Sequence, residues 1–107
     1  MRVTTNHDEF DKHQKALIKE IAFSLKERLQ EMGLGDDRDL VQGLVFDVSA
    51  ILDGSREMEI DGKPLLPFLT FADDRNPKEL LAAESGSWMH EICGRVVEEI
   101  FDDEPSA

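Results

Sequence analysis

The sequence contains no tyrosine, one cysteine and half as many cations as anions. A single thiol, Cys93, excludes an intrachain disulfide, and the lack of tyrosine removes one common general acid. With 12 Lys and Arg against 24 Asp and Glu, the formal net charge is −12. Binding to nucleic acid or to an anionic membrane surface requires a basic patch, so the charge predicts no direct contact with either.

Long apolar runs are also missing from the chain. The longest uncharged stretch of apolar character, residues 64–72, contains two prolines, and it is far shorter than the ~20 apolar residues of a membrane-spanning helix. The first six residues lack the apolar region of a signal peptide. Together with the single cysteine, these features predict a cytoplasmic protein that does not enter a membrane.

The residues that are present predict one small domain over 1–107, with an ordered core at about 8–103 and short loose ends. A length of 107 residues leaves no room for a second domain, and 40% hydrophobic residues are enough for a modest core. The hydrophobic spacing predicts an α+β fold that is mainly helical. The predicted order of elements is helix–helix–β-hairpin–helix, without internal repeats.

Two helices are predicted in the first half of the chain. The first covers residues 8–32, is capped by Asn6, and carries Lys26 opposite its apolar side. The second covers residues 37–52 and is capped by Asp36. The predicted core positions recur at helical spacing, and they are Phe10, Leu17, Ile18, Ile21, Leu25, Leu29 and Met32 in the first helix and Leu40, Val41, Leu44, Val48, Ile51 and Leu52 in the second.

The hydrophobic pattern changes after residue 54. Asp61-Gly62 predicts the two-residue turn of a β-hairpin over about 57–66, and Pro64 confines the returning strand to an edge. Residues 67–71 are predicted to lie extended across an apolar surface. Asn76-Pro77-Lys78-Glu79 combines an N-cap, a proline at the first helical position and a following glutamate, which predicts the start of the third helix. Ser85-Gly86-Ser87 predicts a kink in that helix.

Apolar side chains in the last helix exceed what one helix face can hold. From Trp88 onward they occur in pairs every four residues, which spreads them around the helix, and Phe23 and Phe46 lie off the core faces of their helices. Isolated exposed aromatic residues are common in monomers, but the combination favours a homodimer. The predicted interface consists of Phe23, Phe46, Trp88, Met89, Ile92, Val96, Ile100 and Phe101.

Candidate chemical sites are few. His90 and Cys93 are three residues apart and could share a metal, whereas soft-metal sites require three or four ligands. Ser87 and His90 have the spacing of a nucleophile and its base on a helix, but no glycine-rich elbow precedes them. The acidic turns do not match calcium-binding loops, and nucleotide-binding motifs are absent. We therefore predict no catalytic residue, metal or cofactor.

The sequence as a whole predicts a small acidic protein-interaction module without enzymatic activity. Its expected partners are a second copy of itself and another, unidentified protein. The alternative is a small-molecule or metal-binding protein, or a minor enzyme, with a site near Ser87, His90 and Cys93.

Overall fold

The computed structural model describes residues 2–84 and 86–102, and these residues form the predicted α+β fold with mainly helical content. Three helices and five strands follow one another in the described chain. They are β1 (Arg2–Thr5), α1 (His7–Gln30), α2 (Arg38–Leu52), β2 (Met58–Ile60), β3 (Lys63–Leu65), β4 (Phe71–Asp73), β5 (Asn76–Ala82) and α3 (Met89–Asp102).

Helix α1 begins where the capping signal predicts. The Asn6 side chain accepts a hydrogen bond from the backbone N–H of Glu9 at 3.1 Å, which satisfies one of the free donors of the first turn. Two side-chain predictions for this helix are wrong. Met32 is 68% exposed because the helix ends at Gln30, and Lys26 is buried, with its ammonium 4.6 Å from the centre of the Phe101 ring. The long aliphatic stem of lysine allows this burial.

Helix α2 begins one residue later than predicted. Its N-cap is Asp37, not Asp36, because the Asp37 side chain accepts the N–H of Leu40 at 3.1 Å. Val41 and Val45 point into the core, whereas the predicted core residue Ile51 is 36% exposed.

The core lies where the three helices α1, α2 and α3 pack against one another. The buried residues of this core are Ile18, Ala22, Val41, Val45, Met89, Cys93, Val96, Val97 and Ile100. The prediction that α3 carries more apolar surface than the chain can cover is therefore wrong. Because two helices contact α3, the apolar side chains that spread around it are divided between them.

The predicted start of the third helix at Asn76-Pro77-Lys78-Glu79 is wrong, since these residues begin strand β5. Strand β5 pairs antiparallel with β4 and parallel with β1, giving the sheet order β1-β5-β4. Residues 2–5, predicted as a loose end, form the outer strand β1, with Val3 opposite Leu80. Pairing with two neighbouring strands supplies backbone hydrogen bonds that override the local capping signal.

The predicted hairpin around Asp61-Gly62 is present as β2 and β3. Both turn residues have positive φ, 52° and 76°, as a type I′ turn requires. The two strands form a sheet of their own. The Cα radius of gyration is 15.6 Å, compared with about 13 Å for a compact chain of this length. We call residues 56–68, which contain this hairpin, the arm.

Candidate functional site

The end of α2 and the start of α3 are joined by the carboxylate of Asp53, whose side chain is inaccessible to solvent. Its Oδ2 accepts the backbone N–H of His90 at 3.0 Å and also contacts Nδ1 of the His90 ring. Its Oδ1 accepts the N–H of Ser55 at 3.0 Å. Asp53 therefore caps the first turn of α3 from another part of the chain, where a negative charge also complements the helix dipole.

This arrangement fixes the orientation of the His90 imidazole. Nδ1 lies beside Asp53 and 2.9 Å from Ser55 Oγ. Because a carboxylate can only accept, Nδ1 carries the proton that it donates to Asp53. When the ring is neutral, Nε2 is therefore its acceptor. Nε2 lies 4.0 Å from Oε1 of Glu91. The ring also contacts Phe46 edge to face, with 6.2 Å between the ring centres.

The ionisation of Asp53 follows from the same contacts. Burial raises the pKa of its carboxyl group, but the hydrogen bonds from His90 and Ser55 outweigh burial and hold the pKa below its ordinary value of 3.8. Asp53 is therefore negatively charged at neutral pH, and this charge contributes to the stability of the folded chain.

An open groove lies between α2 and α3 beside this cluster. Its cavity volume is about 530 Å³, and Phe46, at its wall, is 46% exposed. We call it the acidic groove because its wall contains three carboxylates and no lysine or arginine. The lining residues are Asp39, Gln42, Gly43, Phe46, Asp47, His90, Glu91, Cys93 and Gly94.

The structure does not bring Ser87, His90 and Cys93 together as a reactive site. His90 Nδ1 contacts Asp53 and Ser55 instead of Ser87, and the buried Ser87 Oγ has no hydrogen-bond partner among the described residues. The Cys93 thiol is buried and donates to the carbonyl of His90 at 3.5 Å. Burial raises the pKa of Cys93, which keeps the thiol neutral and unreactive. Within residues 2–84 and 86–102, no group of three or more ligating side chains is placed to hold a metal ion.

The predicted interface residues fall into three classes. Phe23, Phe46 and Trp88 are 43–46% exposed, whereas Ile92 and Phe101 are half-buried against the core. Met89, Val96 and Ile100 are buried in the chain itself, so in this structure they offer no surface to a partner.

The exposed aromatic residues do not form one patch. Phe46 and Trp88 both lie against His90, with 6.2 and 6.4 Å between ring centres. Phe23 lines a separate depression with Lys26 and Glu27 of its own helix. Of the three exposed aromatic residues of the predicted interface, the structure therefore brings two, Phe46 and Trp88, to the same residue.

A further apolar surface lies on the arm. Ile60, Leu65, Leu66 and Phe68 are 61%, 53%, 66% and 55% exposed, and we call them the arm surface.

The prediction that residues 67–71 lie across an apolar surface is correct for Leu69 and Phe71 and wrong for Phe68. Leu69 packs against the core and Phe71 contacts Phe10 at 5.4 Å between ring centres, whereas Phe68 faces solvent. The sequence does contain a signal for the exposure of Leu65 and Leu66. The two prolines that flank them, Pro64 and Pro67, disfavour incorporation of this segment into a larger sheet.

Comparison with known proteins gives no relative. The chain matches no protein-family model, no curated protein and no solved structure. Among the described helices, none has both the length and the apolar composition needed to cross a membrane.

Proposed function

We propose that the protein is a non-enzymatic interaction module that associates with a second copy of itself through the arm surface. One observation carries the proposal: four large apolar side chains, each more than half exposed, are concentrated on one short segment of the chain. Contiguous apolar patches on small proteins are typical of contact sites. The single cysteine supports the cytoplasmic location that we propose for the module.

The charge distribution supports self-association at the arm. The arm carries two cations, Arg56 and Lys63, and three anions, Glu57, Glu59 and Asp61, so it contributes −1 to the net charge of −12. The other residues contribute −11. Contact through the arms therefore joins two regions whose own charges nearly cancel. Salt screens repulsion between charges that are more than about 8 Å apart at physiological ionic strength.

The two edges of the arm sheet disfavour pairing of strands between copies. Pro64 removes a backbone donor from β3, and Glu59 on β2 would lie near its own copy in an antiparallel pair. We therefore expect the apolar faces to meet rather than the strand edges. The arm surface consists of four side chains, whereas a standard interface buries roughly 800 Å² and about 20–30 residues per partner. We therefore expect a dimer that dissociates on dilution.

The mass of the protein in solution tests this proposal. Sedimentation equilibrium from micromolar to near-millimolar concentration is expected to show a monomer–dimer equilibrium that strengthens with added salt, since salt screens the repulsion between acidic bodies. The double variant Leu66→Ser, Phe68→Ser is expected to remain monomeric. Phe23→Ser removes a similarly exposed apolar side chain away from the arm and serves as the matched control. A monomer at every concentration, or a dimer lost equally in the control, contradicts the proposal.

A second candidate function, small-molecule binding or catalysis at His90, is favoured by one observation. Asp53 orients the imidazole through Nδ1, so Nε2 is the acceptor when the ring is neutral, which is the arrangement of an oriented general base. The position of Ser55 argues against nucleophilic catalysis, because Ser55 and Asp53 contact the same ring nitrogen. In a catalytic triad the serine and the carboxylate contact opposite nitrogens.

Ester hydrolysis tests this candidate. With an activated phenyl ester, we expect a rate no greater than that of an equal concentration of free imidazole. Turnover that is lost in His90→Gln and kept in Ser87→Ala would favour the second candidate over the interaction module.

A further inference from the structure

We propose that the acidic groove between α2 and α3 is a docking site for an arginine-containing basic segment of a partner protein. The inference rests on the proposed function in that it describes an interaction module, but it uses a surface other than the arm. The arm surface contacts apolar side chains of a second copy, whereas the groove binds a cationic peptide. Added salt is therefore expected to strengthen self-association and to weaken peptide binding.

The charge of the groove identifies the ligand class. Asp39 and Asp47 come from α2 and Glu91 comes from the first turn of α3. In the part of the chain that the structure describes, neither Asp39 nor Asp47 forms an ion pair. Three carboxylates without a lysine or arginine in the same wall are complementary to a donor-rich cation.

The exposed ring of Phe46 favours arginine within that class. It is 46% exposed, and the contact with His90 places a neighbouring ring at its side. A guanidinium group can stack on an aromatic face and donate to carboxylates at the same time, which an ammonium group does less well. The cavity of about 530 Å³ exceeds the volume of one side chain, so we assign it to a short segment with more than one basic residue.

Two glycines line the groove, and packing within the chain explains only one of them, Gly94, whose added Cβ would lie 3.0 Å from Gln42 Nε2. Gly43 lies inside α2 and Gly94 inside α3, where glycine is less favourable than alanine by roughly 0.5–1 kcal/mol. A Cβ atom added at Gly43 would meet no atom within 4 Å. Packing within the chain therefore does not require glycine at this position. The lack of a side chain does leave room between the carboxylates of Asp39 and Asp47 on the same helix.

Binding of a fluorescent hexa-arginine peptide tests the proposal. The peptide is titrated with the wild-type protein and with Gly43→Leu, which fills the groove without changing any charge. We expect Gly43→Leu to weaken binding about tenfold or more, and Asp47→Asn to weaken it about threefold to tenfold. Asp74→Asn removes the same charge from an exposed turn between β4 and β5 and is expected to change binding less than twofold. Hexa-lysine is expected to bind more weakly than hexa-arginine.

The outcomes separate specific docking from attraction to the overall negative charge. If hexa-arginine binds Gly43→Leu as tightly as wild type, or if Asp74→Asn and Asp47→Asn have equal effects, the groove is not the site and the proposal fails. Should Gly43→Leu not fold, Phe46→Ala gives the same decision, with an expected loss of about fivefold or more. Backbone amide shifts of Gly43, Phe46 and Glu91 are expected to move on titration, and shifts confined to other residues overturn the inference.

The same titration distinguishes failure of this inference from failure of the proposed function. Leu66→Ser, Phe68→Ser is expected to bind hexa-arginine as wild type does, because the arm is not part of the groove. Salt is expected to weaken peptide binding and to strengthen self-association. Loss of peptide binding in the arm variant would place the basic ligand on the arm and overturn the groove.

Discussion

The helical body and the arm belong to the same short chain but are stabilised in different ways. In the body, Val45, Met89 and Val97 have no accessible surface, and Asp53 joins two helices that are distant in sequence. In the arm, Asp61-Gly62 determines a hairpin locally, and the four residues of the arm surface remain more than half exposed. The comparison shows that the body depends on long-range packing and the arm on turn chemistry. It also explains why apolar side chains of the arm remain exposed in the folded chain.

The largest expected difference between the two regions is the effect of removing an apolar side chain. Met89→Ala leaves a cavity in the body and is expected to lower the free energy of unfolding by about 2–5 kcal/mol. Leu66→Ala removes a side chain that is 66% exposed, and we expect a change within about 0.5 kcal/mol for the monomer. Urea unfolding followed by circular dichroism at low protein concentration measures both. Similar losses in the two variants would mean that the arm is part of the core.

Asp53→Asn tests the junction between α2 and α3. At neutral pH the variant loses charge-assisted hydrogen bonds to His90 and Ser55, and we expect a loss of about 1–3 kcal/mol. The pKa of Asp53 is lower in the folded chain than its ordinary value of 3.8. Its contribution is therefore fully present above that value and is lost as the pH falls through the lower, folded pKa.

The pH dependence of this difference provides the measurement. Unfolding free energies of wild type and Asp53→Asn are expected to differ most near neutral pH, to approach each other below about pH 4, and to converge once the pH is below the lower, folded pKa of Asp53. Asp74→Asn, in an exposed turn, is the matched control and is expected to follow wild type throughout. A difference that persists unchanged into strong acid would show that the carboxylate charge does not stabilise the junction.

Local signals in the sequence predicted much of the fold. The Asn6 cap and the helical spacing of apolar residues predicted α1 within two residues of its observed end, and Asp61-Gly62 predicted the arm hairpin. The start of β5 was not predictable from the same signals, because its parallel partner β1 lies more than 70 residues earlier. A capping pattern such as Asn76-Pro77 describes only what a segment does without a partner strand.

The candidate site was also predicted only in part, because local signals identify single residues and not their distant partners. Periodicity correctly placed Phe46 away from the core, and His90 was singled out by its chemistry. Its partners were sought three residues away on the helix, at Ser87 and Cys93, whereas the structure places Asp53 against it from 37 residues away. Contacts between distant segments depend on how helices pack, which one sequence does not reveal.

A substitution in the arm turn tests whether the arm and the helical body unfold independently, because it alters no packed side chain. Gly62 has a φ of 76°, so Gly62→Ala is expected to destabilise the hairpin locally by about 1 kcal/mol. Because the arm packs little against the helices, the urea midpoint of the body is expected to stay within error of wild type. Hydrogen exchange measures the local effect as faster exchange of the β2 and β3 amides, with α2 and α3 unchanged. A matching increase throughout α3 would show that arm and body unfold together.

The smallest expected effect is a gain in stability at a glycine of the body. Gly43→Ala is expected to stabilise α2 by about 0.5–1 kcal/mol, because alanine is the better helix former and the added Cβ meets no neighbour. At Gly94 the same change places a Cβ 3.0 Å from Gln42 Nε2, so a smaller gain is expected from Gly94→Ala. If Gly43→Ala stabilises the chain in urea unfolding, packing does not account for the glycine at position 43. The explanation that we propose is then that glycine keeps the groove open for its ligand. A loss of stability would instead assign Gly43 a structural role and weaken the case for a ligand between α2 and α3.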